Sequence, residues 1–125
     1  LHGELLKVRS IKNPNLVYSW NKDLLLGDFC EEKSQLRPHI VWFGEEVPML
    51  EKAIEITAKA DILLIIGTSM QVYPAANLIH YISPKIPVYF IDPKPAIQKN
   101  YFPNLTVIAE KASIGVVKVV TELID

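Results

Sequence analysis

Residues 60–69, "ADILLIIGTS", decide the fold class that the sequence predicts. Five consecutive apolar residues at positions 62–66 follow Asp61 and end at Gly67, a pattern typical of a buried strand that closes in a tight turn. A strand that is apolar on both faces is typical of a parallel sheet with helices on each side. This stretch therefore predicts an α/β fold.

The segments around this strand alternate between helical and strand-like patterns, which predicts right-handed parallel crossovers in an open sheet of about three strands. Ser113 is placed to cap the last helix, and residues 92–102 are predicted to form a turn with a short helix. The predicted strands are at residues 62–66, 86–91 and 104–109. The predicted helices are at residues 48–60, within residues 67–82 with Pro74 in the first turn, and at residues 113–124. The side chains predicted on the inner side of the last helix are Val116, Val117, Val120, Leu123 and Ile124.

Residues 1–47 lack this regular alternation. Two short pieces, residues 16–20 and 40–43, are β-like, and they lie among polar loops with no helical period. We therefore predict an irregular small domain at residues 1–47, followed by the sheet domain at residues 48–125.

The composition limits the function classes. The chain has 125 residues and a formal net charge of −1, so no basic surplus points to nucleic acid or to an anionic membrane. Its longest apolar run, residues 62–66, is too short to span a bilayer. Cys30 is the only cysteine, which excludes an internal disulfide and favours a reducing cytoplasm.

Polar or small residues follow each predicted strand of the sheet domain. The carboxyl ends of parallel strands share one edge, where ligands bind, so these residues predict a nucleotide-binding edge with an acid near a ribose. The alternative is that they form ordinary turns, since the sequence contains neither G-x-G-x-x-G nor G-x-x-x-x-G-K-[ST]. The three sets are Gly67, Thr68 and Ser69; Asp92, Pro93 and Lys94; and Glu110, Lys111 and Ala112.

Four separated motifs resemble the carboxyl-terminal half of sirtuins, most closely the bacterial members. They are "HGEL" (2–5), "LRPHIVWFGEEVP" (36–48), "ADILLIIGTSMQVYPAANLI" (60–79) and "YFIDPKP" (89–95), and they occur in the family's order over nearly the whole chain. Sirtuins are NAD-dependent protein-lysine deacylases. The resemblance implies a deacylase of the deacetylase or desuccinylase type, with NAD as cofactor, an acyl-lysine protein as substrate and part of a Rossmann-like sheet.

The resemblance also implies roles for individual residues. His2 matches the catalytic base, which activates a nicotinamide-ribose hydroxyl after the acyl oxygen has displaced nicotinamide, a task suited to imidazole. The strand that pairs with the substrate peptide is matched by Val41, Trp42, Phe43, Gly44 and Glu45. The NAD contacts are matched by Gly67, Thr68, Ser69, Asp92, Pro93, Lys94 and Ala112.

Each of these residues also has a structural interpretation. A histidine near a terminus is usually a surface residue, Trp42 and Phe43 would be core residues in most proteins, and Glu45 with Glu46 would be a solvated turn. His39 is predicted to be structural, and His80 is predicted to be a rim residue on a helix.

The sequence departs from the family in its metal ligands. Sirtuins usually hold a structural zinc with two Cys-x-x-Cys pairs between the catalytic histidine and the Arg-Pro-His segment, and tetrahedral zinc needs four such ligands. Here only Cys30 remains, and Ser10 stands about where another cysteine is expected. We expect a hydrophobic cluster in place of the metal. Its members are Leu16, Val17, Tyr18, Trp20, Leu24, Leu25, Leu26 and Phe29.

Two further departures concern NAD. The family more often has Asn where Asp92 stands, which makes the ribose contact less secure than the contact at residues 67–69. The Gly-rich phosphate loop and the nicotinamide pocket of the family would precede His2, and the chain reads as though cut from something longer. We therefore expect a free sheet edge, covered by an amino-terminal half or by a second copy, and no activity from this chain alone. The alternatives are a half-domain that binds NAD or ADP-ribose without turnover, and a truncated fragment stabilised by oligomerisation.

Overall fold

The computed structural model describes residues 1–98 and 100–125, and it divides into two compact units, Leu1–Met49 and Leu50–Asp125. Each unit contains its own three-stranded sheet. No helix in the described part of the chain combines the length and the apolar character needed to cross a membrane.

The first unit contains an antiparallel sheet, whereas the sequence predicted an irregular small domain. Its strands are β1 (Gly3–Ser10), β2 (Val17–Ser19) and β3 (Leu36–Ile40), in the order β2-β1-β3. β2 lies within the strand predicted at residues 16–20. The strand predicted at residues 40–43 does not form, because β3 ends at residue 40. Polar side chains such as Arg37 interrupt the apolar pattern of β3, and pairing with β1 forms the strand nevertheless.

A small apolar core lies on one side of this sheet. Val8, Cys30 and Leu36 are buried at its centre. Four residues of the predicted hydrophobic cluster pack against them, while the other four are exposed. The packed members are Leu16, Tyr18, Trp20 and Leu24, and the exposed members are Val17, Leu25, Leu26 and Phe29.

The second unit contains the predicted parallel α/β sheet, which confirms the fold class. Strand order is β4-β5-β6, and every pairing is parallel and in register. The strands are β4 (Leu63–Ile66), β5 (Val88–Ile91) and β6 (Leu105–Ile108), and the α-helices are α1 (Leu50–Ala58) and α2 (Ala112–Ile124).

The connections between these strands differ from the prediction. The helix expected within residues 67–82, with Pro74 in its first turn, is a 3-10 helix over Ala75–Tyr81 with Pro74 as its N-cap, after a cis Tyr73-Pro74 bond. Among residues 92–98 and 100–102 no helix forms, and Lys99, which was part of that prediction, lies outside the described residues. The N-cap of α2 is Lys111 rather than Ser113, which falls inside the first turn.

The core of the second unit lies on one face of β5, and α2 packs on the other face. Phe90 and Val88 contact Ile79 of the 3-10 helix on the first face. On the second face Gly115 approaches Ile91 and Ile108 closely enough that a Cβ would lie 2.5 and 3.2 Å from their methyl carbons.

The inner side of α2 is therefore formed by Gly115 and Val119, and the predicted inner side was wrong. Val116 is half-buried, whereas the other predicted members are exposed: Val117, Val120, Leu123 and Ile124. Because α2 is apolar almost all round, its periodicity did not identify the buried side, which depends on the close approach at Gly115.

The sheet has an exposed apolar edge at β4. Within the described residues β4 pairs only with β5, and Leu64 and Ile66 remain exposed together with Ile62 just before the strand. The prediction of burial on both faces was thus wrong for β4 in this chain. An uncovered edge of this kind is available for pairing with another segment.

We expect Gly115→Ala to destabilise the second unit by about 1–3 kcal/mol, because the new methyl group would overlap the side chain of fully buried Ile91. Helix propensity alone would favour alanine by about 0.5–1 kcal/mol, so the sign of the change reports the packing. Urea unfolding measures it, with Thr121→Ala on the exposed side of α2 as the control. Stabilisation by Gly115→Ala would contradict this account.

Candidate functional site

The backbone brings His2 next to the segment that follows β3. The carbonyl of His2 accepts a hydrogen bond from the Val41 N–H at 2.9 Å, and Gly3 pairs with Ile40 one step along the sheet. The His2 side chain is exposed. The structure therefore joins the predicted catalytic base to the first residue of the predicted peptide-binding segment.

Glycine at position 3 makes this approach possible. Gly3 has φ +95°, and a Cβ there would collide with the carbonyl of His39 and lie 2.9 Å from the Cα of Ile40. A side chain in this position would push β1 away from β3, at the point where the sheet register also shifts. The glycine that follows His2 in the sequence is thus a steric requirement for the His2–Val41 contact.

The predicted peptide-binding residues form a turn rather than a strand. The Glu45 N–H donates to the Trp42 carbonyl at 3.1 Å, and Gly44 at the third position has φ +86°, as a type II turn requires. Phe43 is 93% exposed and Trp42 is 55% exposed, so neither is a core residue of this chain. The turn presents two aromatic side chains on the surface of the first unit.

The Glu45 carboxylate holds this turn from within. Arg37 donates to it through both terminal nitrogens, at 2.5 and 3.0 Å, and the Trp42 N–H donates at 3.0 Å. Arg9 of β1 lies 3.7 Å away. Hydrogen bonds from Arg37, followed by the one from Trp42, lower the pKa of Glu45 from 4.5 to about 2.

These contacts identify functional residues that the sequence interpretation missed. Arg37 and Arg9 were given no role, and Glu45 was predicted to contact the substrate, whereas its carboxylate is occupied within the turn. The signal was present in "RPHIVWFGE", because a basic and an acidic residue bracket a glycine turn at a spacing that allows them to pair.

In the second unit, the parallel register places the first two predicted NAD-binding segments at one sheet edge. The Gly67 N–H donates to the Ile91 carbonyl at 2.9 Å, and the Asp92 N–H donates to the Ile108 carbonyl at 3.2 Å. Residues 67–69 and 92–94 therefore leave adjacent strands at the same end, as the sequence predicted.

The turn at residues 67–69 is open on its outer side. Gly67 has φ +62°, and a Cβ there would meet no atom within 4 Å. Gly67 and Ser69 are exposed, while the Thr68 hydroxyl accepts the Met70 N–H at 3.2 Å. This open backbone with nearby hydroxyl groups fits the ribose and phosphate groups of a dinucleotide.

Asp92 is half-buried and shapes its own turn. Its Oδ1 atom accepts the Lys94 N–H at 2.7 Å, which fixes the chain through Pro93. Ala112 is exposed as the first residue of α2, after the end of the third strand. All the predicted NAD-binding residues therefore follow strand ends of one sheet.

A cavity of about 300 Å³ lies beside this edge, on the side of the 3-10 helix, and the sequence interpretation did not anticipate it. His80, predicted as a rim residue, lines it and contacts the rings of Tyr101 and Phe102 at centroid distances of 6.2 and 5.6 Å. The lining also includes Ser69 and Tyr73.

Comparison with known protein families matches residues 1–74 to the Sir2 family. An NAD-dependent protein deacylase of Helicobacter pylori is 60% identical over 94 residues, which cover 75% of this chain and 40% of that protein. Another NAD-dependent protein deacylase, from Bacteroides thetaiotaomicron, is 45% identical over 122 residues, covering 93% of this chain and 52% of its own length.

Solved structures of Sir2 homologues are also similar to this chain. A variant of a Sir2 homologue in complex with ADP-ribose is similar with a TM-score of 0.82 and 27% identity, covering 98% of this chain and 51% of that one. A Sir2 homologue in complex with NAD has a TM-score of 0.79 and 27% identity, with coverage of 98% and 49%. The chain spans about half the length of the relatives it matches.

We expect Gly3→Ala to break the His2–Val41 contact, because the methyl group would overlap the His39 carbonyl. Gly27→Ala is the matched control, since Gly27 also has a positive φ (+100°) but has open space around it. Both variants carry a backbone strain of about 1–3 kcal/mol, and Gly3→Ala adds about 1–3 kcal/mol for overpacking. Hydrogen exchange at the Val41 amide should accelerate only in Gly3→Ala. Equal exchange in both variants would contradict the steric argument.

The lowered pKa of Glu45 predicts a pH dependence of stability. Because its pKa falls on folding, the ionised carboxylate stabilises the folded state above about pH 4.5, and this contribution is lost as the pH falls toward 2. Glu45→Gln should therefore be less stable than the parent at pH 6, and the difference in unfolding free energy should shrink between pH 4.5 and 2. Urea unfolding across this range measures it, with Glu46→Gln as the control. A difference independent of pH would rule out the ion pair as its cause.

Proposed function

Because this chain belongs to the Sir2 family, we propose that it forms the carboxyl-terminal part of an NAD-dependent protein-lysine deacylase. The observation that carries the proposal is the hydrogen bond from Val41 to the His2 carbonyl, which joins a proton acceptor to a turn with two exposed aromatic side chains. Deacylation by this route needs both features, since the acyl-lysine and the base act on the same reacting centre.

In this proposal His2 is the general base. When bound, NAD would supply an electrophilic ribose carbon, from which nicotinamide would leave as the acyl oxygen bonds to it, and His2 would accept the proton of a ribose hydroxyl. Its side chain is exposed, and its backbone is held by Val41 and by the tight packing at Gly3. A base held at its backbone in this way loses little freedom when substrate binds.

The turn at residues 42–45 contacts the acyl-lysine peptide. Trp42 and Phe43 supply apolar surface to the aliphatic stem of the lysine, and Gly44 leaves room for the peptide backbone. The Val41 N–H is already bound by His2, so peptide pairing uses other backbone groups of the segment. The Arg37–Glu45 pair keeps the turn in shape and does not itself contact the peptide.

NAD binds in this proposal at the sheet edge of the second unit. Gly67, Thr68 and Ser69 offer open backbone and hydroxyl groups, and the remaining Asp92 oxygen accepts a hydrogen bond from the adenosine ribose. Ala112, small and exposed, lies beside the adenine. The names of the relatives, which are NAD-dependent deacylases, support this assignment.

In this proposal another part of the enzyme packs against the exposed edge of β4. Leu64 and Ile66 offer apolar surface next to a strand that pairs on one side only within the described residues. We assign this edge to an amino-terminal half of the same fold, with a second copy of this chain as the alternative. This chain alone should then be inactive. The single cysteine and the bacterial relatives favour a cytoplasmic location.

In a protein that contains both halves, we expect His2→Ala to lower the rate of NAD-dependent removal of an acyl group from a lysine peptide by about 10²–10⁴-fold, the usual contribution of a general base. NAD affinity should change little, because in this proposal residues 67–69 and Asp92 hold the dinucleotide and His2 acts only as a proton acceptor. Asn21→Ala, which removes another exposed polar side chain of the first unit, is the control.

Two outcomes would contradict the proposal in different ways. Full activity in His2→Ala would show that another group accepts the proton. NAD binding without any turnover in the unsubstituted protein would favour the alternative, a binding module.

A further inference from the structure

The first unit lies where the family resemblance implies a structural zinc. Two Cys-x-x-Cys pairs would be needed, and Cys30 is the only cysteine of the chain. In the Cys-x-x-Cys spacing, Cys30 and Lys33 take the two ligand positions of one turn, and Ser10 and Asn13 take those of the other. The four ligand positions are thus occupied by a thiol, an ammonium, a hydroxyl and an amide.

Hydrogen bonds close both turns although three of the four cysteine ligands are absent. The Ser10 hydroxyl, 2% exposed, accepts the N–H groups of Lys12 and Asn13, each at 3.2 Å. In the second turn the Lys33 N–H donates to the Cys30 carbonyl at 2.9 Å. Hydrogen bonds within each turn therefore fix a conformation that a bound metal would otherwise help to fix.

Direct hydrogen bonds also connect the two turns. The Ile11 N–H donates to the Gln35 carbonyl at 3.0 Å, and the Asn13 side-chain amide donates to Glu32 at 3.2 Å. The Tyr18 hydroxyl donates to Glu31 from the neighbouring strand β2, which raises the pKa of Tyr18 to about 12. These contacts join the two turns and strand β2 directly, without a metal.

The available side chains do not fit zinc. Neither a hydroxyl that already accepts two hydrogen bonds nor a lysine ammonium supplies a tetrahedral zinc ligand. Across residues 1–98 and 100–125, no group of three or more His, Cys, Asp and Glu side chains is arranged to hold a metal ion. The Cys30 thiol instead packs in the apolar core with Val8 and Leu36.

We propose that the first unit is closed without a metal, by the hydrogen bonds between the Ser10 and Cys30 turns and by the apolar core beneath them. Leu16, Trp20 and Leu24 extend this core to the segment between the turns. The inference concerns folding of this unit and is independent of the proposed catalytic activity.

Metal content and thermal unfolding test the proposal directly. After expression with added zinc, the purified protein should contain far less than one zinc per chain, and EDTA should leave its Tm unchanged. Glu32→Ala should lower the Tm, because it removes the bond to Asn13 that joins the two turns, whereas exposed Glu46→Ala should not. Zinc at one per chain, a fall in Tm with EDTA, or equal Tm values for the two Glu variants would overturn the proposal.

A gain of metal binding tests the assignment of the four positions. The triple variant Ser10→Cys, Asn13→Cys, Lys33→Cys would present four thiols with Cys30, and it should bind about one Co²⁺ per chain with a tetrahedral absorption spectrum, against none for the parent. A folded triple variant that binds no cobalt would show that the turns do not face each other as described. The measurements on the unsubstituted protein decide the proposal if the variant does not fold.

Discussion

The antiparallel pairing of β1 with β3 is the constraint on which the first unit depends. At one end of this pair, the close approach at Gly3 brings His2 to Val41. At the other end, Ser10 pairs with Leu36 and brings the turns at Ser10 and Cys30 together. One strand pair thus organises both the candidate catalytic end and the end where the family resemblance implies a zinc ion.

Two arginine side chains of this strand pair hold the aromatic turn through Glu45. Arg9 lies on β1 and Arg37 on β3, opposite each other in the register, and both face the Glu45 carboxylate that holds the aromatic turn. A charged hydrogen bond of this kind is more directional than apolar contact, which suits a turn whose two aromatic side chains are exposed and not packed in a core. The shape of the turn therefore depends on groups that need not touch substrate.

The sequence predicted the second unit better than the first, for a physical reason. Parallel strands are continuous apolar runs, so residues 62–66 and their counterparts were visible, and the strand-end segments at residues 67–69 and 92–94 followed from the topology. β1 and β3 carry mixed polar and apolar residues and are formed by pairing across more than 25 positions, which local periodicity does not encode. The roles of Arg9 and Arg37 and the buried side of α2 also depend on contacts between distant residues.

We propose that this chain carries the base, His2, and the peptide-binding turn of an NAD-dependent deacylase. The most direct test incubates the protein that contains both halves with NAD and an acyl-lysine peptide, and measures nicotinamide release together with peptide deacylation. We expect one nicotinamide to be released for each acyl group removed. Deacylation without NAD, or no nicotinamide release from correctly folded protein, would contradict it.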